Sequence, residues 1–184
     1  MSEHVKIPQD RIGVLIGKDG ETKKQIEEKA EVELDIDSES GAVEIQKKGD
    51  PIKGLKGPEI VKAIARGFPP ESALKLMDDL EDRMEMVMFE TVNIKDATGS
   101  ESEMREKKGR LIGRDGRTRE LMEELTGADV RIYGKTLGVI GTPEQVEVVV
   151  RAAEMLLNGS PHSTVYSYLE NKKNELTSSG IEYI

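Results

Sequence analysis

The stretch "LIGRDGRTRE" at residues 111–120 places two glycines around an Arg-Asp pair and continues directly into more arginine. A nearly identical decapeptide, "LIGKDGETKK", occupies residues 15–24. When residues 13–37 are aligned without gaps to residues 109–133, ten of the 25 positions are identical. Similarity of this extent within one chain indicates a duplicated structural unit.

The spacing of apolar residues changes after each glycine pair. In the second copy Thr118, Met122 and Leu125 recur at helical spacing, and Gly127 follows as a helix stop. Beyond the helix, apolar residues alternate with polar ones, which is typical of half-buried strands. Each copy therefore predicts a glycine loop that opens a helix of about three turns, followed by two strands in an antiparallel hairpin.

A strand is also predicted before each loop, from the segments "HVKIP" and "MVMFETVNIK". The second copy carries extra residues in the polar segment "DATGSESEMREKK" (residues 96–108), which we expect to be mobile.

Each copy is predicted to end in a helix. In the second copy Thr142 is expected to cap this helix, with a capping box completed by Gln145. The corresponding helix of the first copy is predicted to start near Pro58 and to stop at Gly67. A further helix, from Pro70 to about residue 84, is predicted to join the two copies.

The order strand, helix, glycine loop, helix, strand, strand, helix resembles the K-homology (KH) RNA-binding module in its type I form. The loop signature of that family is (Ile/Leu)-Ile-Gly-x-x-Gly, which "LIGKDG" and "LIGRDG" match. The resemblance implies an α+β fold of two tandem type I KH domains, each a three-stranded antiparallel sheet covered by three helices. We expect a first KH domain at residues 1–69, a connecting helix at 70–84, and a second KH domain with a C-terminal helical extension at 85–184.

The glycine loops have the chemistry of a phosphate site. A nucleic-acid backbone must come close to main-chain amides, and a Cβ would hold it away. Because each loop leads into a helix, free N–H groups and the positive end of the helix dipole face the bound anion. In the KH module this loop clamps about four nucleotides of single strand. The predicted RNA-binding residues are Ile16, Gly17, Lys18, Asp19, Gly20, Lys23, Arg110, Ile112, Gly113, Arg114, Asp115, Gly116, Arg117, Arg119 and Arg131.

Bases would lie against apolar side chains of the two helices and the first hairpin strand. The sequence does not separate the residues of this groove from those of the core. The candidates are Ile16, Ile26, Leu34 and Ile36 in the first copy, and Ile112, Met122, Val130 and Ile132 in the second.

The formal net charge of −9 argues at first against a nucleic-acid partner. The charge is unevenly distributed, however. Residues 105–119 contain seven basic and two acidic side chains, and residues 11–24 contain four basic and two acidic ones. Positive charge is thus concentrated around the two loops, and phosphate contact is expected to be stronger in the second unit.

Other classes of site find no support in the sequence. The loops have neither the Gly-x-Gly-x-x-Gly spacing of dinucleotide-binding folds nor the spacing of a P-loop. The chain has no cysteine and only two histidines, His4 and His162. No catalytic residue, metal or cofactor is predicted, so we expect a protein that is not an enzyme. No apolar run could span a membrane and no signal pattern is present, so we expect a soluble, cytoplasmic protein. We also expect a monomer.

Two longer stretches, residues 49–74 and 156–173, resemble the segments that follow the two KH modules in small-subunit ribosome-assembly proteins of archaea and eukaryotes. Eukaryotic relatives often lose the first glycine loop, whereas both loops are intact here, as in the archaeal pattern. The resemblance implies binding to the 3′ region of small-subunit (16S) rRNA, with a role in its processing and in 30S subunit assembly. Its implied partners are the endonuclease that cuts there and the alpha subunit of translation initiation factor two.

One alternative stays open at this point. The two modules could form a KH-fold protein-interaction scaffold in ribosome assembly or translation initiation, with weak RNA binding and an acidic face that meets a basic partner.

Overall fold

The computed structural model describes residues 2–81 and 85–181, without the side chains of residues 80–81 and 177–181. The chain divides into two compact units, Met1–Val87 and Met88–Ile184. Each unit contains a three-stranded antiparallel sheet and several helices. The α+β class predicted from the sequence is therefore confirmed.

The first unit has its sheet in the order β1-β3-β2, so the last strand of the hairpin lies at the centre. Two helices precede the hairpin and four short helices follow it, with one-turn 3₁₀ segments at Lys18–Gly20 and Leu74–Met77. The elements are β1 (Ser2–Lys6), α1 (Gln9–Ile16), α2 (Glu21–Ala30), β2 (Val32–Ile36), β3 (Ala42–Lys47), α3 (Pro51–Gly54), α4 (Lys56–Ala65), α5 (Pro70–Ala73) and α6 (Asp78–Glu81).

The core of the first unit lies between the sheet and the helices. Leu34 of β2 pairs with Ile45 of β3, and both side chains are buried. Glu33 and Asp35, the polar residues that alternate with the buried positions of β2, are exposed. The period-two prediction for this strand is confirmed.

The second unit repeats the arrangement, with its sheet in the order β4-β6-β5. It differs by a longer helix before the glycine loop and by a long helix at its end. One-turn 3₁₀ segments lie at Ile94–Ala97 and Arg114–Gly116. The elements are β4 (Met88–Asn93), α7 (Glu101–Ile112), α8 (Arg117–Thr126), β5 (Asp129–Tyr133), β6 (Thr136–Gly141), α9 (Pro143–Leu157) and α10 (His162–Ile181).

The capping box predicted for α9 is confirmed. The Gln145 backbone N–H donates to Thr142 Oγ1 at 3.3 Å, and the Thr142 N–H donates to Gln145 Oε1 at 3.0 Å. Two of the donors left free at a helix start are thereby satisfied.

The segment at residues 96–108, which was expected to be mobile, is largely helical. It forms the end of a 3₁₀ turn and most of α7, which has 12 residues where α1 has eight. Ser100 caps the helix by accepting from the Glu103 N–H at 3.1 Å, and Glu103 pairs with Lys107 at 3.2 Å. Lys107 Nζ also donates to Ala97 O at 2.6 Å. The polar residues that suggested a loop supply the cap and the ion pair of a helix.

The predicted connecting helix consists of α5, the 3₁₀ segment Leu74–Met77 and α6, all within the first compact unit. Leu76 and Met77 are buried, and the 3₁₀ segment packs against α2 and α4. The Lys56 ammonium lies 3.0 Å from Asp79 Oδ2, and this oxygen also accepts from the Val87 N–H. The last predicted residues of this helix, 82–84, lie outside the described residues. The KH domain limits given above stay a prediction.

Candidate nucleic-acid interface

The two glycine loops have the same backbone conformation. The first glycines, Gly17 and Gly113, have φ of 75° and 77° with ψ of 175° and 172°. The second glycines, Gly20 and Gly116, have φ of 76° and 77° with ψ of 13° and 11°. The aspartate before each second glycine has a φ of 56°. Duplication has preserved the loop geometry as well as the loop sequence.

The two glycines of each loop serve different needs. A Cβ on Gly113 would lie 2.1 Å from Thr118 Oγ1, and one on Gly17 would lie 2.3 Å from the matching hydroxyl of Thr22. The fold itself therefore requires the first glycine. A Cβ on Gly116, like one on Gly20, would meet no atom within 4 Å. The second glycine instead leaves open space in front of the helix start.

A third pair of glycines, Gly13 and Gly109, stands in the helices before the loops. Neither has a left-handed φ, and a Cβ on either would meet no atom within 4 Å. Glycine inside a helix destabilises it by roughly 1 kcal/mol relative to alanine. Neither the backbone conformation nor the surrounding packing requires these glycines.

The basic residues between the glycines, Lys18 and Arg114, are exposed. Neither side chain is hydrogen-bonded or ion-paired to another residue within the described ranges. Beside them, Asp19 and Asp115 are also exposed. Each loop thus carries a cation that is available to a phosphate.

Arg110, predicted to bind RNA, lies in a different setting. Its guanidinium donates to Leu156 O and, at 2.5 Å, to Ser160 O, so it ties α7 to the end of α9. Arg11 makes the matching contacts in the first unit, to Ile64 O at 2.8 Å and Phe68 O at 2.7 Å. The geometry gives Arg110 a structural task, and its contact with RNA stays a prediction.

Arg119 and Arg131 converge on one carboxylate. Arg119 Nη1 lies 2.6 Å from Glu123 Oε1, and Arg131 Nη1 lies 3.1 Å from Glu123 Oε2. Arg117 is more exposed and pairs at 3.5 Å with Glu124. These ion pairs reduce the positive charge that the arginine-rich helix offers to a phosphate.

Glu123 has a second task that both units share. Its Oε2 accepts from the Val130 N–H at 2.9 Å, and Glu27 accepts from the Leu34 N–H at the same distance. In each unit, the carboxylate ties the helix after the loop to the first hairpin strand. This contact explains why the glutamate is retained in both copies.

The apolar candidates fall into two groups. One group, which is buried, belongs to the core: Ile26, Leu34, Met122 and Val130. The other group, which is half-buried, lies beside the loops and on the first hairpin strands: Ile16, Ile36, Ile112 and Ile132. Only the second group offers apolar surface to a base.

The polar faces of β2 and β5 differ between the units. Glu33, Asp35 and the adjoining Asp37 are exposed on the first, whereas the second carries Arg131. Hydrogen bonds from the Ser40 hydroxyl and from the backbone N–H groups of Glu39 and Ser40 lower the pKa of Asp37, which keeps it charged. Together with the loops, this arrangement favours phosphate contact by the second unit.

Lys23, predicted to bind RNA in the first unit, is half-buried on α2.

A cleft that the sequence pattern does not predict lies beside the second loop. It has a volume of about 340 Å³ and lies between α7, the loop and α10. His162 and Tyr166 line it from α10, together with Glu106, Gly109 and Arg114 among others. Four-residue spacing on a predicted helix would have placed the histidine and tyrosine on one face. It could not have indicated what that face contacts.

Within the described ranges, no group of three or more His, Cys, Asp or Glu side chains could hold a metal ion.

In that same part of the chain, no helix is both long and apolar enough to cross a membrane.

Family models match both units. The model described as "KH domain" matches residues 2–56, and the one described as "Eukaryotic type KH-domain (KH-domain type I)" matches residues 88–174. A KH domain-containing protein of Methanocaldococcus jannaschii is 43% identical over 95% of this chain and 75% of its own length. The RNA-binding protein pno1 of Drosophila pseudoobscura is 31% identical over 66% of this chain, which spans about half of that protein.

Solved structures agree with these matches. Dim2p from Pyrococcus horikoshii is 45% identical, with a TM-score of 0.83 over 93% of this chain and 99% of that chain. A crystal structure of an a/eIF2alpha–aDim2p–rRNA complex from the same organism contains a chain with a TM-score of 0.86, 45% identity and 96% coverage of both chains. The loop signature predicted KH domains, and these matches confirm them: the chain belongs to the family of two-KH-domain proteins that includes archaeal Dim2p and eukaryotic PNO1.

Proposed function

We propose that this protein binds single-stranded RNA at the 3′ region of small-subunit (16S) rRNA and assists its processing and 30S subunit assembly without being an enzyme. One observation carries the proposal: both loops present an open glycine, a helix start and an exposed cation in the same backbone geometry. This is the arrangement that binds a phosphate of a nucleic-acid backbone. The protein is further proposed to act as a monomer in the cytoplasm, as expected from the sequence.

Similar proteins support the choice of RNA. The complex from P. horikoshii contains rRNA with a chain that is 45% identical to this one. A pre-rRNA-processing protein PNO1 from Coccidioides immitis is 27% identical over 77% of this chain.

The second unit is proposed to make the stronger phosphate contacts. Its loop lies beside an arginine-rich helix, whereas the strand face of the first unit is acidic. Arg114 is the cation that we assign to the phosphate, because no other described side chain engages it. Half-buried Ile112 and Ile132 would contact the bases.

Protein partners are a further part of the proposal. The P. horikoshii complex also contains a/eIF2alpha, which supports the alpha subunit of translation initiation factor two as a partner of this chain. The exposed carboxylates Glu33, Asp35 and Asp37 of the first unit offer a surface for a basic protein. The endonuclease that cuts at the 3′ end of the rRNA is proposed as a second partner, from the family resemblance alone.

Fluorescence anisotropy tests the RNA-binding proposal with an oligonucleotide that matches the 3′ end of small-subunit rRNA. We expect binding that weakens steeply with salt, since neutralised phosphates release counterions. A scrambled oligonucleotide of equal length separates specific binding from general attraction. Equal affinity for the two would contradict a specific role at the rRNA 3′ end.

A second assay separates binding from catalysis and from scaffolding. Incubation of the pure protein and Mg²⁺ with the same RNA should leave the RNA intact, and cleavage would contradict the non-enzymatic proposal. If the initiation-factor subunit is captured equally well when Arg114 is replaced while RNA binding falls, the two partners use different surfaces.

A further inference from the structure

The C-terminal helix α10 forms one wall of the cleft beside the second loop. Tyr166 is half-buried, and its hydroxyl lies 2.8 Å from Thr118 Oγ1, the same hydroxyl that a Cβ on Gly113 would meet. The His162 and Tyr166 rings have centroids 5.9 Å apart and are tilted by 59°. His162 Nε2 lies 3.0 Å from Arg110 O. Since a carbonyl only accepts, this nitrogen carries the proton and the ring is fixed against α7.

The cleft carries charges of both signs. Arg114 stands at the loop, and the carboxylate of Glu106 also lines the cleft. Arg110 also lines the cleft, but its guanidinium is bonded to Leu156 O and Ser160 O. Arg114 is thus the cation left for a phosphate at the loop, and Glu106 offers an acceptor to the N–H groups of a base. Gly109, on the wall formed by α7, places no side chain in the space.

The first unit has no matching pair of rings. The segments "GFPPESAL" (67–74) and "GSPHSTVY" (159–166) share the glycine and the proline two positions after it. This alignment pairs Pro70 with His162 and Leu74 with Tyr166. The 3₁₀ segment that begins at Leu74 also packs on the helix after the loop, here α2. The same wall is therefore present in both units, but only the second carries an imidazole and a phenol.

We propose that this cleft holds the base of one nucleotide adjoining the phosphate clamped by the second loop, stacked on the Tyr166 ring with the tilted His162 ring beside it. Single-stranded RNA is commonly recognised by stacking of its bases on tyrosine and histidine. This inference rests on the proposed function and adds a nucleotide site outside the Gly-x-x-Gly loop. It also gives the second unit a contact that the first cannot make.

The test is a coupling measurement. Abasic positions are introduced one at a time along the rRNA 3′-end oligonucleotide. The affinity of each modified oligonucleotide is measured for the wild-type protein and for Tyr166→Leu, which introduces the leucine found at the equivalent position 74 of the first unit. One abasic position should weaken binding to the wild type by about 5- to 150-fold, the range for loss of a base–aromatic stack. The same abasic position should weaken binding to Tyr166→Leu far less.

Three further variants separate stacking from structure. Tyr166→Phe keeps the ring and should retain the sensitivity to the abasic position. His162→Gln keeps an N–H donor for Arg110 O but lacks the ring, and should reduce the sensitivity. Tyr168→Leu is the control, because Tyr168 is also a half-buried tyrosine of α10 but lines a different pocket, with Lys172 and Glu175. This variant should show the same sensitivity as the wild type.

Two results would overturn the inference in distinguishable ways. Suppose that the wild type binds the oligonucleotide and that each abasic position weakens binding to Tyr166→Leu as much as it weakens binding to the wild type. The cleft then holds no base, and the proposed function stands. If the wild type does not bind the oligonucleotide, the proposed function fails, and this inference fails with it. Should Tyr166→Leu not fold, a photoreactive base at the sensitive position replaces it. Cross-linking to α10 of the wild-type protein then supports the inference, and cross-linking elsewhere overturns it.

Discussion

The Thr118 hydroxyl stands where a side chain on Gly113 would begin: the two atoms would be 2.1 Å apart. Gly113 also has a φ of 77° and a ψ of 172°, a region that is essentially restricted to glycine. Gly116, by contrast, adopts a left-handed conformation that asparagine and aspartate tolerate, and it faces open space. The glycine pair therefore combines a residue needed for folding with one that is open to a ligand.

Alanine substitutions should separate these two glycines. Gly113→Ala is expected to destabilise the protein by about 2 kcal/mol or more, from backbone strain and the clash with Thr118. Gly116→Ala should destabilise it by about 1 kcal/mol, from strain alone. Urea unfolding measures both free energies. Equal losses would show that Thr118 does not restrict the first glycine as described.

Two arginines of the second unit, Arg110 and Arg114, should behave differently when replaced by glutamine. Arg110→Gln loses charge-assisted bonds to Leu156 O and Ser160 O, and should lower the free energy of unfolding by about 1 to 3 kcal/mol. Arg114→Gln should leave stability unchanged and weaken RNA binding, with a salt dependence shallower by about 0.7 in slope. Thermal unfolding and anisotropy at several salt concentrations supply the readouts. A stability loss for Arg114→Gln with unchanged RNA affinity would reverse the two assignments.

Glu27 and Glu123 are expected to contribute to stability in the same way, because each accepts from a strand N–H at 2.9 Å. Replacing either glutamate by alanine leaves that donor without its partner, which destabilises a protein by about 1 to 3 kcal/mol. Only the change at Glu123 also releases Arg119 and Arg131. Glu123→Ala should therefore raise RNA affinity at low salt, whereas Glu27→Ala should not. A fall in affinity of the folded Glu123 variant would argue that the carboxylate positions these arginines for RNA.

Much of the site could be predicted because it depends on local sequence. Positive φ values and a helix start follow from the glycines themselves, and the half-buried strands follow from a period of two. The roles of Arg110 and Arg131 could not be predicted in the same way. Arg110 contacts backbone carbonyls of α9 and of the segment after it, and Arg131 of β5 contacts Glu123 of α8. Which of these groups a long side chain reaches is decided by tertiary packing. The Arg119–Glu123 pair, by contrast, has the four-residue spacing of a local helix contact.

The segment at residues 96–108 has a structure that depends on local contacts but was still not predicted. Its polar composition indicated a loop, but composition does not distinguish a loop from a capped, exposed helix. The contacts of Ser100, Glu103 and Lys107 decide the matter locally. The cleft at α10 could not be predicted from the sequence for another reason. It depends on the packing of α10 beside the loop, which is a long-range contact.

Acid should weaken the start of α7. Hydrogen bonds from the Gly99 N–H and from Lys107 lower the pKa of Glu103 below its ordinary value of 4.5. Because the folded pKa is depressed, the stabilisation is present above pH 4.5 and is lost as pH falls through the folded pKa. The Gly99 amide shift, followed by NMR, should titrate with a midpoint below 4.5. A midpoint at or above 4.5 would mean that the Gly99 bond does not form in solution.

The central claim, that the second loop binds a phosphate, is tested most directly by a pair of variants at Gly116. Gly116→Asp and Gly116→Asn have similar size and similar backbone strain, and they differ in one negative charge. A unit charge near a bound phosphate is worth about 1 kcal/mol or more at short range. Affinity for the rRNA 3′-end oligonucleotide should therefore be lower for the aspartate variant than for the asparagine variant by at least about fivefold. We expect that difference to shrink as salt is raised. Equal affinities of the two folded variants at low salt would contradict phosphate binding at this loop.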